Sequence, residues 1–177
     1  MKRRNLFDSI FTTVTTGLYA NDKLPRSGWG PGPWDTEQFD WAVWTDIETG
    51  LECALKRSGA GSWAGYVLIP TSHPVNRGLP PGSDFLQDAR AATMRLEVHG
   101  GVTFHGPWDL EEMDIQGFAV GFDCAHWRDK CPGVRSEGTY CTAHYAMREV
   151  QSLARQINEY APLAQLSGTQ HQLTEQS

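Results

Sequence analysis

Between Val98 and His144 the chain concentrates the residue types that do chemistry. One half of this window reads Val98-His99-Gly100-Gly101-Val102-Thr103-Phe104-His105-Gly106, and the other reads Gly121-Phe122-Asp123-Cys124-Ala125 followed by His126 and Asp129. Histidine beside glycine and aspartate, at the ends of β-branched and aromatic runs, builds sites more often than cores. Three chemistries fit. The first is structural zinc: Cys124, His126, Cys131, Cys141 and His144 place three thiols and two imidazoles within 21 residues, and zinc takes such ligands tetrahedrally. Cys141-x-x-His144 has the spacing of half a zinc knuckle, but Cys124-x-His126 is tighter than a usual pair, so the set would be Cys124, Cys131, Cys141 and His144. The second is a catalytic metal on His99, His105, Asp123, His126 and Asp129. The third is a thiol nucleophile, Cys124, with His126 two residues on and His99 arriving from another strand. If the chain is an enzyme, the catalytic candidates are His99, Asp123, Cys124 and His126. Small buried thiols and hydrogen-bonded histidines explain the same residues without any cofactor, so no cofactor is favoured and zinc is the one the ligands would suit.

A fourth reading is binding without turnover. Trp63, Tyr66, Trp108 and Trp127 offer stacking faces, and Arg57, Arg77, Arg90, Arg95, Arg128 and Arg135 offer cations for an anionic group. The strand Gly65–Ile69 runs into Pro70 and delivers His73 to a loop. No glycine-rich phosphate loop is present, since Gly59-x-Gly61 lacks the third glycine and the following helix. The binding pocket expected from these residues comprises Arg57, Trp63, Tyr66, His73, His99, Thr103, Asp123, His126 and Asp129.

These residues need elements to position them. Strands are predicted over 39–47, 51–56, 63–69, 98–104 and 117–122 from alternation and β-branched content. In a strand over 98–104, His99 and Thr103 share a face. Residues 21–36, rich in Gly and Pro around Trp29 and Trp34, read as an ordered surface loop. Residues 71–88 read as a long loop, a lid or binding segment, and residues 89–96 fit helix or strand equally. Apolar residues at Ala143, Met147, Val150, Leu153, Ala154 and Ile157 mark one face of a helix from about Thr139 to Tyr160, ended by Pro162. The expectation is therefore an α+β fold, with a mixed or antiparallel sheet and one long amphipathic C-terminal helix. Residues 1–177 form a single domain, with a Trp/Gly/Pro-rich segment over 1–38, a core over 39–162 and a frayed tail over 163–177.

The bulk properties narrow the partners. A net charge of −6 over 177 residues argues against a general nucleic-acid binder. No apolar run approaches a membrane span, and no secretory signal stands at the N-terminus. A cytoplasmic protein with reduced thiols is expected. Seven tryptophans would suit a homo-oligomer interface as well as a pocket.

In order, Thr49-Gly50-Leu51-x-Cys53, Gly65-Tyr66-Val67 with Pro70 and His73-Pro74, His99-Gly100-Gly101-x-Thr103-Phe104, and Gly121-Phe122-Asp123-Cys124-Ala125-His126 resemble the pattern of a family of uncharacterised tailed-phage and prophage accessory proteins. The resemblance covers about residues 41–160. Trp127-Arg128 stands where that pattern has small residues, and Cys131 and Cys141 lie outside it. It implies a phage origin, work in the cytoplasm of an infected bacterium, and no established activity. Small phage proteins of this kind commonly block host defences, for example by sequestering a nucleotide signal. Sequence reasoning therefore leans toward a small-polar-ligand binder, with a metal- or cysteine-dependent hydrolase and a virion or host-factor interaction protein as alternatives.

Overall fold

The computed structural model of the chain describes residues 17–70, 73, 96–108, 117–134 and 137–174, with the side chains at 108, 117 and 160–174 outside that set. Six strands form one sheet: β1 Gly17–Tyr19, β2 Trp41–Thr45, β3 Glu52–Arg57, β4 Trp63–Pro70, β5 Phe104–Trp108 and β6 Gly117–Asp123. Their order is β1-β2-β3-β4-β6-β5, and every pairing is antiparallel. Among the described residues one α-helix, α1 Ala143–Thr174, follows. The fold is α+β. Among the described residues, no helix is long and apolar enough to cross a membrane. The loop expected over 71–88, apart from His73, and the ambiguous segment 89–95 lie outside the described residues.

Alternation along β4 sorts the two faces of the sheet. Trp63, Val67 and Ile69 point to one side, where Leu55, Val120 and Phe122 join Met147, Val150, Leu153 and Ile157 of α1 in the main core. Leu68, with Val43 and Ala54, forms a smaller cluster on the other side, covered by Trp41 and Tyr66. Gly65 faces the helix: a β-carbon there would collide with Phe122 and Val150. This glycine is what lets α1 lie close against the centre of the sheet.

Three boundaries differ from the sequence expectation. The segment 98–104 is not a strand. His99 to Gly101 is a turn closed by the Gly101 N–H donating to the Val98 carbonyl at 2.8 Å, with Gly100 and Gly101 at φ +66° and +87°, and β5 begins only at Phe104. Two left-handed glycines break an extended run that β-branched neighbours would otherwise favour. The helix begins at Ala143 rather than near Thr139, because Thr142 caps it: the Thr142 hydroxyl accepts the Tyr145 N–H at 3.2 Å. At the other end the backbone stays helical past Pro162 to Thr174. A proline inside a helix forfeits one hydrogen bond and costs about 3 kcal/mol, so it weakens a helix without necessarily stopping it.

A second cap comes from far away in sequence. Glu37 Oε1 accepts the Ala143 N–H at 2.7 Å, while its Oε2 receives the Tyr140 hydroxyl at 2.6 Å, the Trp63 indole N–H at 3.3 Å and the Arg57 guanidinium. Arg57 is fully buried. Its Nε lies 3.0 Å from Asp40, its Nη1 donates to Tyr140 at 2.6 Å, and its plane rests 4.1 Å above Trp63. Burying a charge is costly, and it is tolerated where geometry and extra hydrogen bonds compensate. Here the loop before β2, the strands β3 and β4, and the start of α1 share one such network. Removing one partner leaves the other uncompensated, so Glu37→Ala is expected to destabilise the protein by roughly 3–5 kcal/mol in urea denaturation. A loss below about 1 kcal/mol, the range of exposed pairs, would show that the network does not hold the fold.

Candidate metal centre

β6 ends at Asp123, and Cys124 continues its ladder by donating its N–H to the Trp63 carbonyl at 2.8 Å. The chain then turns: the Asp129 N–H donates to the His126 carbonyl at 2.9 Å. It next pairs with the approach to α1 through the Asp129–Thr139 bridge, where the Lys130 N–H donates to the Thr139 carbonyl at 3.0 Å. That pairing sets Cys141 beside Cys124. The His99 turn comes in over the first turns of α1, its N–H donating to Glu149 Oε2 at 2.8 Å. Gly100 packs against the His126 ring so closely that any β-carbon would overlap it, which explains a glycine there beyond its positive φ.

The side chains converge. His99 Nδ1 lies 3.0 Å from the Tyr145 hydroxyl. His99 Nε2 lies 2.9 Å from Asp129 Oδ2 and 3.9 Å from Cys141 Sγ. Cys141 Sγ also lies 3.9 Å from Asp129 Oδ1. Asp129 Oδ2 accepts the His126 N–H at 2.9 Å and sits 3.5 Å from His126 Nδ1. The ligand atoms of His99, Cys124 and Cys141 all lie within 4.8 Å of one another, and so do those of His99, His126 and Asp129. The thiols are buried, whereas the His126 and Asp123 side chains are 34% and 40% exposed. The cluster therefore has a closed side of sulfurs and the Asp129 carboxylate, and meets solvent through His126, with Asp123 at its rim.

The charges are coupled. Burial disfavours a charged His99, but Asp129, Cys141 and Glu149 outweigh it and raise its pKa. Burial likewise opposes ionisation of Asp129, yet the hydrogen bonds from His99 and the His126 backbone lower its pKa. The contact between the two thiols lowers Cys141, with His99 helping and burial opposing; the same contact, with burial, pushes Cys124 up. The two thiols are thus shifted in opposite directions, and the shift disfavours a thiolate on Cys124, the candidate nucleophile of the sequence reading.

Of the residues singled out from sequence, His99, Cys124, His126, Asp129 and Cys141 come together, with Asp123 at the rim. The proposed quartet of Cys124, Cys131, Cys141 and His144 does not assemble: Cys131 Sγ points to the Cys124 carbonyl at 3.9 Å, and neither it nor His144 shares the convergence point. His105 is opposite Val120 in the β5–β6 ladder and also stays out. His73 follows Pro70, at the end of β4 remote from Trp63; seven strand steps separate those ends by roughly 20 Å. Arg57 and Trp63 belong to the buried Glu37 network. Tyr66 lies on the opposite face of the sheet from α1, packed edge-on against Phe104. Thr103 is exposed at the start of β5. Arg77, Arg90, Arg95 and Arg135 lie outside the described residues.

Tyr145 and Glu149 escaped the sequence reading. Their signal is the four-residue spacing of Tyr145 and Glu149, one helical turn, in the helix that starts two residues after Cys141. Comparison with protein-family models, with curated proteins and with solved structures gave no match.

The His99–Asp129 pair predicts a pH signature in metal-free protein. The raised His99 contributes stability that is complete below the ordinary imidazole pKa and is lost as pH rises through its folded value. The lowered Asp129 contributes stability present above the ordinary carboxylate pKa and lost as pH falls through its folded value. The melting-temperature advantage of the chelator-treated native protein over Asp129→Asn is thus expected to be greatest between about pH 4 and 6.5. An advantage that does not change from pH 3 to pH 9 would contradict the pairing.

Proposed function

We propose that the chain is a zinc-dependent hydrolase centred on His99, Cys124 and Cys141. The observation that carries this reading is the convergence of one imidazole nitrogen and two thiols on a single point at a half-open edge of the fold. Zinc bonds of about 2.0 Å to nitrogen or oxygen and about 2.3 Å to sulfur, at tetrahedral angles, set ligand atoms about 3.3–3.8 Å apart. The separation between two of these ligands, 3.9 Å from His99 Nε2 to Cys141 Sγ, lies just above that range, and all three ligand atoms are within 4.8 Å of one another. A thiol–histidine nucleophile explains the geometry less well. A catalytic base needs one ring nitrogen for the thiol and the other for its orienting carboxylate, whereas here Cys141 and Asp129 both face Nε2. With a metal on Nε2, Nδ1 carries the proton and donates to Tyr145, the second-shell arrangement that fixes a ligating imidazole.

Three protein ligands leave a fourth position, the usual layout of a catalytic zinc site. A zinc held by His99, Cys124 and Cys141 would supply Lewis acidity at that position. Asp129, anchored by the His126 N–H, is the proton acceptor next to that position. His126, about one-third exposed and 3.5 Å from Asp129, would pass the proton on to a leaving group. The groove beside His99 is lined, among the described residues, by Glu97, Glu149 and Glu159 with the single cation Arg155, a lining that disfavours a polyphosphate. The competing proposal, nucleotide sequestration by a phage-type protein, is supported by the motif resemblance. Arg57 and Trp63, which it would use for phosphate and base, are buried in the Glu37 network.

Elemental analysis of protein purified without chelator is expected to find about one zinc per chain. His99→Ala, Cys124→Ser and Cys141→Ser should lose it, while Cys53→Ser, Cys131→Ser and His144→Ala keep it. Asp129→Asn should retain zinc but lower hydrolysis of activated ester or phosphodiester probes by about 10²–10⁴-fold, the usual weight of a general base. Zinc-free native protein would overturn the metal assignment. Loss of zinc from Asp129→Asn would make the aspartate a fourth ligand and the centre structural.

A further inference from the structure

The same two thiols form a second device. Cys124 is fixed by its backbone bond to Trp63 at the end of β6, and Cys141 sits two residues before Ala143, whose N–H Glu37 holds. Neither thiol is in a disulfide, and their sulfurs lie within 4.8 Å of each other. The two come from separate segments that the Asp129–Thr139 pairing holds side by side, so the sulfurs face each other from the end of the sheet and the approach to the helix. The third thiol of the neighbourhood, Cys131, is directed at the Cys124 carbonyl and stands outside the converging group.

We infer that Cys124 and Cys141 form a reversible redox latch, closed by a peroxide and opened by a dithiol reductant. One thiol attacks the peroxide, gaining an oxygen as sulfenic acid and releasing water. The second thiol then attacks that sulfur, forming the S–S bond and expelling a second water. Two electrons and two thiol protons pass to the peroxide. A dithiol reverses the change by thiol–disulfide exchange and is itself oxidised to a disulfide. Formation of the Cys124–Cys141 bond stands on the geometry alone. Its consequence, removal of two of three ligands and discharge of the metal, rests on the zinc reading above.

The test uses full-length protein, one sample as purified and one stripped by chelator, each treated with hydrogen peroxide near stoichiometry. Intact mass is expected to fall by about 2 Da, with a peptide map linking Cys124 to Cys141. Dithiothreitol should restore the starting mass. Cys131→Ser should behave as the native chain, whereas Cys141→Ser should give no link. In the zinc-loaded sample, release of nearly all the zinc should accompany the link. A link between Cys124 and Cys131, or over-oxidation of single cysteines without any link, would overturn the latch. A Cys124–Cys141 link in protein that never binds zinc would uphold the latch and sink the zinc reading. Zinc binding without a link would do the reverse.

Discussion

The architecture depends on one buried carboxylate. Glu37 caps the end of a short 3-10 helix, Pro33–Thr36, in a Gly/Pro-rich segment, and its two oxygens reach the Arg57 guanidinium, the Tyr140 hydroxyl, the Trp63 indole and the first N–H of α1. An anion at a helix N-terminus is favoured by the helix dipole and by the unpaired N–H groups there. Arg57 makes that anion tolerable in the interior, Asp40 balances the second face of the guanidinium, and Trp63 covers it. The network thereby fixes where α1 begins relative to β3 and β4.

Everything at the candidate metal centre inherits that placement. Cys141 precedes the capped residue, while Tyr145 and Glu149 follow at one-turn intervals and hold the ring and backbone of His99. The opposite side of the centre is delivered by the sheet: β6 ends at Asp123, and the tight turn from His126 to Asp129 folds a carboxylate back over it. Gly65 brings the helix down onto the sheet and Gly100 brings the His99 turn against His126. The two glycines and the buried ion network are three parts of one positioning device, with the rigid core beneath it.

Much of this was legible in the sequence, and the reasons for the misses are physical. Alternation and β-branched content located β2, β3, β4 and β6 to within a few residues, and the 3.6-residue period located the buried face of α1. His99, Cys124, His126 and Asp129 were singled out because their local motifs are dense in polar groups. The strand over 98–104 misled because Val98, Val102 and Phe104 outvoted two glycines that in fact hold positive φ. The zinc quartet misled because sequence proximity favoured Cys131 and His144, whereas His99, from 25 residues before Cys124, takes the place beside the thiols. Glu37 gave no signal, since its partners are spread from Arg57 to Ala143 and no local pattern joins them. Arg57 and Trp63 looked like ligand-binding residues for the same reason: a buried cation stacked on an indole has the composition of a binding pocket, and only burial tells them apart.

The central claim is that one imidazole and two specific thiols hold a metal. X-ray absorption at the zinc edge of the zinc-loaded protein tests it most directly. The account predicts a first shell of two sulfurs at about 2.3 Å with nitrogen or oxygen neighbours at about 2.0 Å, and one sulfur fewer in Cys141→Ser. A shell made only of nitrogen and oxygen, or a native spectrum unchanged by Cys141→Ser, would contradict it.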